Sequence, residues 1–422
     1  MNILVLGSGA REHAICWALK KSKNAKNVFC IPGNAGIEKI VSCFDIDSTN
    51  KEKIYKFCLK KKINLVVIGP ENLLELGLSD FLSGKKISVF GPSKMASKLE
   101  TSKVFAKKFL ERNNIPTGFY KEFSKLETSI NYIKKTKPPY VIKVDGLASG
   151  KGVMICKTNN SAKKVLEDIF LKKKFGLSGK KIILEEFLEG FEMSFFSFVD
   201  KKNILDLGYA FDHKKLYDND KGPNTGGMGA FSPSNIVTKK LLNSIRKEII
   251  LPTIKGIKKE NIIFRGILFF GVMITKFGPK VIEYNVRFGD PECQSLLHRL
   301  NSDFLNILLA TVNDTLDKCK VKLSKDFSIC VVLTSKGYPK KFKINKPILN
   351  LEKIRDTKFV NIFHAATQKK NGKFFSNGGR VLSITSRHKN FDKARENAYK
   401  YIKKINWSYG HFRMDIGKKN IK

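Results

Sequence analysis

"YVIKVDGLASGKGVMI", residues 140–155, decides between two ways of holding phosphate. An apolar strand runs into a loop rich in glycine and lysine, as in a P-loop. The spacing excludes that fold. A P-loop places four residues between its first glycine and its Gly-Lys pair, then Ser or Thr to hold magnesium. Here three residues separate Gly146 from Gly150, and Lys151 is followed by Gly152. In extended backbone Val141, Lys143 and Asp145 share one face, so Lys143 is expected to point toward the loop. Gly146, Gly150 and Gly152 let the loop fold over an anion with its backbone N–H groups exposed.

Further along, "IILEEFLEGFE" (182–192) is an apolar strand followed by Glu185, Glu186, Phe187 and Leu188, whose backbone suits an adenine edge. Glu192 can accept hydrogen bonds from ribose hydroxyls. The strand "VIEYNVRFGDPE" (281–292) is more specific. Alternation puts Glu283, Asn285 and Arg287 on one face and Ile282, Tyr284 and Val286 on the other. Same-face neighbours lie roughly 6.5–7 Å apart. That suits a carboxylate and an amide oxygen on magnesium, with a guanidinium beyond them to clamp a phosphoryl group.

Working outward, 422 residues imply two to four domains. Apolar content of 42% is ordinary for a folded chain, and no apolar run reaches membrane-spanning length. "MNILVLGSG" enters a strand directly, without the basic head of a signal peptide, so a cytoplasmic protein without a membrane partner is expected. The eight cysteines show no zinc spacing and read as reduced thiols. The net charge of +41 raises the question of a nucleic-acid surface. The excess is lysine, spread through every segment beside heavy Asn, Ile and Phe usage, and reads as compositional drift on solvated faces. No nucleic-acid partner is expected.

Residues 1–101 alternate strands with helices: "NILVLG" (2–7), a helix over 12–21, then strands in 27–33, 65–71 and 87–92 ending in Gly/Pro turns. This predicts an open parallel sheet with ligands at the carboxyl ends of its strands. Residues 102–323 form a second, strand-rich section, and 324–422 read as a small α+β domain. "GSGARE" (7–12) opens a helix like a dinucleotide fingerprint, but Glu12 stands at the third glycine position, so the signal for NAD is weak. Either a tight turn or an anion site at the helix start fits these residues.

These motifs together resemble the ATP-grasp ligases and, in detail, the phosphoribosylamine–glycine ligase family of purine biosynthesis. "GSGAREHA", "PGNAG", "IKVDGLASGKGV", "EEFLEG", "DHK", "GPNTGGMGAFSP", "RFGDPECQ", "HAAT" and "NGGRVL" occur in the family's order, nearly end to end. The resemblance implies an α/β multidomain fold. It has an N-terminal Rossmann-like (pre-ATP-grasp) domain, a central ATP-grasp domain with a small lid over about 120–190, and a C-terminal small α+β domain. It implies a monomer acting on ATP, glycine and 5-phosphoribosylamine with Mg2+ or Mn2+. Carried onto this chain, Lys103 and Lys143 contact ATP phosphates, and Gly150, Lys151 and Gly152 close over them. Glu185, Phe187 and Leu188 frame adenine, Glu192 the ribose, and Glu283 and Asn285 the metal. Arg287 steadies the transferring phosphoryl group. Asp212, His213, Lys214, Asn224, Thr225, Gly226, Gly227 and Asp290 line the glycine and amine pocket. Gly9, Arg11, Glu12, Asn34, Gly36 and Glu71 hold phosphoribosylamine. The chain departs from the family pattern at Ala10, Lys336 and Ala366, all in turns, and "FFGVMI" (269–274) lacks the second metal carboxylate that many ATP-grasp enzymes carry there. Another purine-pathway ATP-grasp ligase, with formate or bicarbonate chemistry, is the alternative; the "DHK…GPNTGGMGA" block argues against it.

Overall fold

The computed structural model describes residues 1–148 and 152–418. Its first layer is a five-stranded parallel sheet. Across the sheet the strands run Ser42–Cys43, Asn27–Pro32, Asn2–Gly7, Leu65–Ile68 and Ser88–Phe90. The unbroken apolar run of "NILVLG" has a simple cause. Leu4 and Leu6 enter one core while Ile3 and Val5 enter another, so both faces are covered. The chain order reverses on either side of Asn2–Gly7, which places a crevice at the ends of that strand and Leu65–Ile68. The first helix is Ala10–Leu19, two residues earlier than the expected start, because Glu12 turns back to accept from the Gly9 N–H at 2.7 Å.

A second, mostly antiparallel sheet carries the expected metal strand at its edge. Gly278–Asn285 pairs with Gly266–Thr275, then Phe191–Val199, Ile204–Asp212 and Gly229–Ser232 follow. It continues through Phe327–Ser335, Arg380–His388 and Val360–His364. Hydrogen bonding thus runs across the sequence boundary expected at residue 324. A third, four-stranded sheet, Tyr120–Phe123, Ile182–Glu186, Tyr140–Val144 and Val153–Cys156, has a core of its own under helices Leu126–Lys135 and Asn159–Phe170. The strand Tyr120–Phe123 and helix Leu126–Lys135 escaped the sequence reading; only Phe123 of that strand is buried, so its apolar signal is weak. All eight cysteines are free. Among the described residues no helix is long and apolar enough to cross a membrane.

The first sheet meets the second through close, buried contacts. Gly36 lies against the ring of His364, which a Cβ at this position would overlap. The His364 N–H donates to His13 Nδ1 at 2.9 Å. Burial pushes His13, His213 and His298 down to about 3, about 4 and about 3, so they are neutral in the fold. Unfolded, each takes up a proton near pH 6.5. Stability from these rings is therefore fully present above that pH and is lost as pH falls toward 4, by up to about 1.4 kcal/mol per pH unit for each ring. Urea midpoints should fall from pH 7.5 to pH 5, and less steeply for His298→Phe. A flat profile in the wild-type protein would show that the rings take up protons in the fold as readily as in the unfolded chain.

Candidate active site

The strand Gly278–Asn285 departs from simple alternation at one point. Gly271 pairs with Glu283 and Val272 with Val281, which leaves Ile282 as the extra residue of a bulge. Val281, Tyr284 and Val286 are buried behind it, and Ile282 is only half-buried, so the expected apolar face is corrected by one residue. Glu283 still emerges on the polar side. Its carboxylate lies 3.5 Å from the Lys214 ammonium and 3.8 Å from Lys103. Burial pushes this carboxyl up, but Lys214, Lys103, Lys143 and Arg287 outweigh it and hold it below the usual carboxylate range. Arg287 donates to Asn285 Oδ1 at 3.4 Å, so the three expected residues do come together.

Arg287 is also committed elsewhere. Its guanidinium meets Glu71 at 3.0 Å and Glu100 at 2.8 Å, and donates to the Phe288 carbonyl at 3.1 Å. Arg287 pulls the Glu71 carboxyl down to about 2. Glu100 was missed in the sequence. It is buried and also accepts from the Val286 N–H at 2.8 Å. Burial pushes this carboxyl up against the pull of Arg287. Glu71, expected among the phosphoribosylamine contacts, faces Arg287 from the side of the first sheet with its side chain 31% exposed.

Lys143, expected to point toward the glycine loop, is held by partners on two sheets. Its ammonium donates to the Ile282 carbonyl at 2.9 Å and pairs with Glu185 at 3.0 Å. Lys107, 2% exposed, pairs with the other oxygen of Glu185 at 3.0 Å and donates to Thr117 Oγ1 at 2.7 Å. The Glu185 side chain is thus buried between two lysines, which leaves only the backbone of that residue for an adenine edge. Lys107 was legible as the i+4 partner of Lys103 in helix Lys103–Arg112, on the same helix face. Asp145, expected beside Lys143, caps this helix instead, accepting from Ser102 Oγ at 2.9 Å and from the Val104 N–H at 3.1 Å. Phe187 is 39% exposed and Leu188 half-buried, consistent with an apolar rim. Glu192 forms a short ion pair with Lys214. A Cβ on Gly152 would sit 2.7 Å from Val144 Cγ2. Gly150 and Lys151 lie outside the described residues.

On the far side of Lys214, the Thr225 N–H and Oγ1 both donate to the Lys214 carbonyl, at 2.8 and 2.9 Å. Gly227 adopts φ +107°, and a Cβ there would lie 2.8 Å from Asp212 Oδ1. That oxygen is buried with no hydrogen-bond partner, and burial together with Glu292 pushes the Asp212 carboxyl well up. Asp290 accepts from Gln294 at 2.7 Å and pairs with Arg380 at 3.0 Å. Arg380 also reaches the Gly226 carbonyl, and the Gly226 N–H donates to Tyr338 Oη at 2.9 Å. Arg380 and Tyr338 come from the last section of the chain. They had no visible link to this pocket until the second sheet joined the two. Asn224 ends the hairpin strand Lys221–Asn224. His213 turns away, packing on Phe231 and accepting the Gly417 N–H at 3.3 Å, so it acts as a strut rather than a pocket wall.

The N-terminal residues are more self-contained than expected. The Glu12 carboxylate fills the space left by Gly7, Gly9 and Gly69, bonded to the Gly9 N–H and, at 2.6 Å, to Arg11. Arg11 also donates to the Phe288 carbonyl at 3.2 Å. Asn34 bridges loops, donating to the Ser8 and His364 carbonyls and accepting from the Gly36 and Ile37 N–H groups. Glu12, Arg11, Asn34 and Gly36 therefore build the crevice walls, with the Glu12 carboxylate and the Asn34 amide already paired.

Among the described residues no group of three or more His, Cys, Asp or Glu could hold a metal. Glu283 and Asn285 still offer two hard oxygen donors, held apart from sulfur and imidazole. This fits a cation such as magnesium, which keeps waters and takes substrate phosphate oxygens to complete its shell.

The N-domain family model of phosphoribosylglycinamide synthetase matches residues 1–100, its ATP-grasp (A) domain 101–293 and its C domain 328–419. The chain is 42% identical over 416 residues to phosphoribosylamine–glycine ligase of Caldanaerobacter subterraneus subsp. tengcongensis, covering 99% of each. It is 45% identical to the chloroplastic enzyme of that name from Arabidopsis thaliana, covering 96% of this chain and 78% of that one. A crystal structure of phosphoribosylamine–glycine ligase from Thermotoga maritima superposes with a TM-score of 0.86 at 33% identity, covering 99% of this chain and 100% of that one. The biotin carboxylase domain of Hydrogenobacter thermophilus 2-oxoglutarate carboxylase shares the fold alone, at a TM-score of 0.74 and 15% identity over 97% of this chain and 91% of that one. With all three family models matched in order and relatives alike along the whole length, this chain belongs to the phosphoribosylamine–glycine ligase family.

Proposed function

We infer that this chain ligates glycine to 5-phosphoribosylamine at the expense of ATP, giving glycinamide ribonucleotide, ADP and phosphate. A glycine carboxylate oxygen attacks the γ-phosphorus, the bond to ADP breaks, and glycyl phosphate forms. The amine nitrogen then attacks the acyl carbon, phosphate leaves, and the nitrogen gives up a proton. A carboxylate has no good leaving group of its own. Positioning and charge neutralisation supply the catalysis.

The observation that carries the reading is the cluster of Glu283, Asn285 and Arg287 ringed by Lys103, Lys143 and Lys214. We assign Lys103 and Lys143 to the ATP phosphates, with Gly150, Lys151 and Gly152 closing over them. The backbone of Glu185 and the rim of Phe187 and Leu188 take the adenine, and Glu192 the ribose once it leaves Lys214. Glu283 and Asn285 would hold Mg2+ or Mn2+, which supplies charge neutralisation on the phosphates when bound. Arg287 swings from the more exposed Glu71 to the moving phosphoryl group while Glu100 keeps its other edge. Lys214, Thr225, Gly226, Gly227 and Asp290 border the glycine, and Asp212, its Oδ1 unpartnered, receives the amine proton. Phosphoribosylamine occupies the crevice between Gly9, Glu71 and Asp290.

Incubation with ATP, Mg2+, glycine and freshly generated phosphoribosylamine should yield ADP only when both amine and amino acid are present. ADP formation that ignores glycine and responds to formate or bicarbonate would establish the alternative ligase chemistry. Glu283→Gln should lower turnover at least about tenfold, a loss of about 1.4 kcal/mol of transition-state stabilisation. A near-normal rate would remove Glu283 from the metal shell. Lys107→Met should raise the ATP KM, because Glu185 would then draw Lys143 away from the phosphates; an unchanged KM with lowered turnover would contradict that route.

A further inference from the structure

The strands Lys215–Tyr217 and Lys221–Asn224 form a two-stranded sheet of their own, bonded to neither large sheet. Such a hairpin is marginal in water unless something covers it. Its turn places Asn219 and Asp220 in succession at φ 57° and 53°, left-handed backbone that Asn and Asp tolerate better than other side-chain-bearing residues. Both ends of this hairpin enter the active site. Lys214 precedes it and faces Glu283 and Glu192; Thr225 follows it and binds the Lys214 carbonyl.

The end of the chain holds the turn. Arg413, 1% exposed, donates to the Lys215 carbonyl and to Asp220 Oδ1, each at 3.0 Å. It is itself gripped by Asp415 through two bonds of 2.7 and 2.8 Å. Asp415 accepts from the Asn219 N–H at 2.8 Å, and the Met414 N–H donates to Asp218 Oδ1 at 2.9 Å. His411 Nε2 meets the Leu216 carbonyl at 3.1 Å. The Tyr399 hydroxyl, from helix Phe391–Lys404, donates to the Arg413 carbonyl at 2.7 Å and so anchors the segment to the last section of the chain. A buried guanidinium needs partners for all its N–H groups, and Asp415 meets only Nε and Nη2. Successive hydrogen bonds to residues 215–220 do something further: they fix the hairpin in place.

We propose that Arg413 is a positioning residue for the ligation, fixing through Lys215 and Asp220 the hairpin that presents Lys214 and Thr225 to the reacting groups. This rests on the ligase reading of the site. Arg413 touches no substrate and acts through the hairpin. Loss of the clasp frees the turn, and Lys214 loses its place beside Glu283, while the nucleotide groups Lys103, Lys143 and Glu185 stay put.

The test compares Arg413→Met, Arg413→Lys and Asp220→Ala with wild type in two assays. One is glycine-dependent ADP formation, with KM values for ATP and glycine. The other is native-state trypsin cleavage after Lys215 and Lys221. Arg413→Met should lose turnover by about tenfold or more, since small misplacement of a reacting group is costly, with the ATP KM within about threefold of wild type and faster cleavage at both lysines. Arg413→Lys should recover part of both effects. Asp220→Ala, altered at the exposed end of the clasp, should show the same split more weakly, and decides the matter if Arg413→Met does not fold. Wild-type turnover in Asp220→Ala and Arg413→Lys, or a fall in turnover only in proportion to the folded fraction, overturns the proposal. Should wild-type protein make no ADP in response to glycine, it is the ligase reading that fails. The trypsin comparison then still rules on the clasp, and equal cleavage in all forms overturns it.

Discussion

Opposite charges packed around the end of one strand set the terms for the rest of the structure. Glu283 lies between Lys103 and Lys214, and Arg287 between Glu71 and Glu100. Removing such groups from water costs several kcal/mol per ion, and stranding one without its partner costs still more. Every element that delivers a cation must therefore arrive with its counter-ion in register. The helix Lys103–Arg112 brings two lysines, the small sheet brings Glu185 to meet one of them, and the first sheet brings Glu71. On the function proposed above, an incoming triphosphate would enter an exchange of partners, taking over cations that now pair with Glu283, Glu71 and Glu185.

The architecture serves that exchange by joining unlike layers at short range. Lys143, on the small sheet, donates to the carbonyl of the bulged Ile282 on the large one, so the bulge gives the two sheets a common fastening next to Glu283. Arg380 and Tyr338 arrive from the other end of the same large sheet and fasten Asp290 and Gly226. The site draws on residues more than two hundred positions apart: strand pairing gathers those of the large sheet, and side-chain ion pairs such as Arg287 with Glu71 join them to the first.

The parallel first sheet was legible because its strands are short apolar runs closed by glycine turns, and the charged strand because its polar residues recur with period two. Ile282 defeated the alternation argument: a bulge depends on the register of two strands, and no single strand records it. The family resemblance places Glu185 by the adenine and Asn34 by phosphoribosylamine. In the fold Lys107 and Lys143 claim the first, and the Ser8 and His364 carbonyls the second. Glu100 carries no local signal, since its partners lie far away in the chain; Arg380 stands in "NGGRVL" and Arg413 pairs with Asp415 two residues on, but neither stretch records the distant partner. The section boundary near residue 324 follows a real change in pattern, yet Gly229–Ser232 pairs directly with Phe327–Ser335 across it.

The cradle of Gly7, Gly9 and Gly69, with the Glu12 carboxylate inside it, has an implication for ligand choice. In a dinucleotide-binding sheet this is where the pyrophosphate would rest. Here a tethered anion is already seated and never diffuses away, so it acts as a built-in competitor at very high local concentration. A nicotinamide or flavin dinucleotide would have to evict a group that is covalently part of the wall and repels it. The domain keeps the shape of a redox-cofactor fold with the Glu12 carboxylate in the place a pyrophosphate would take.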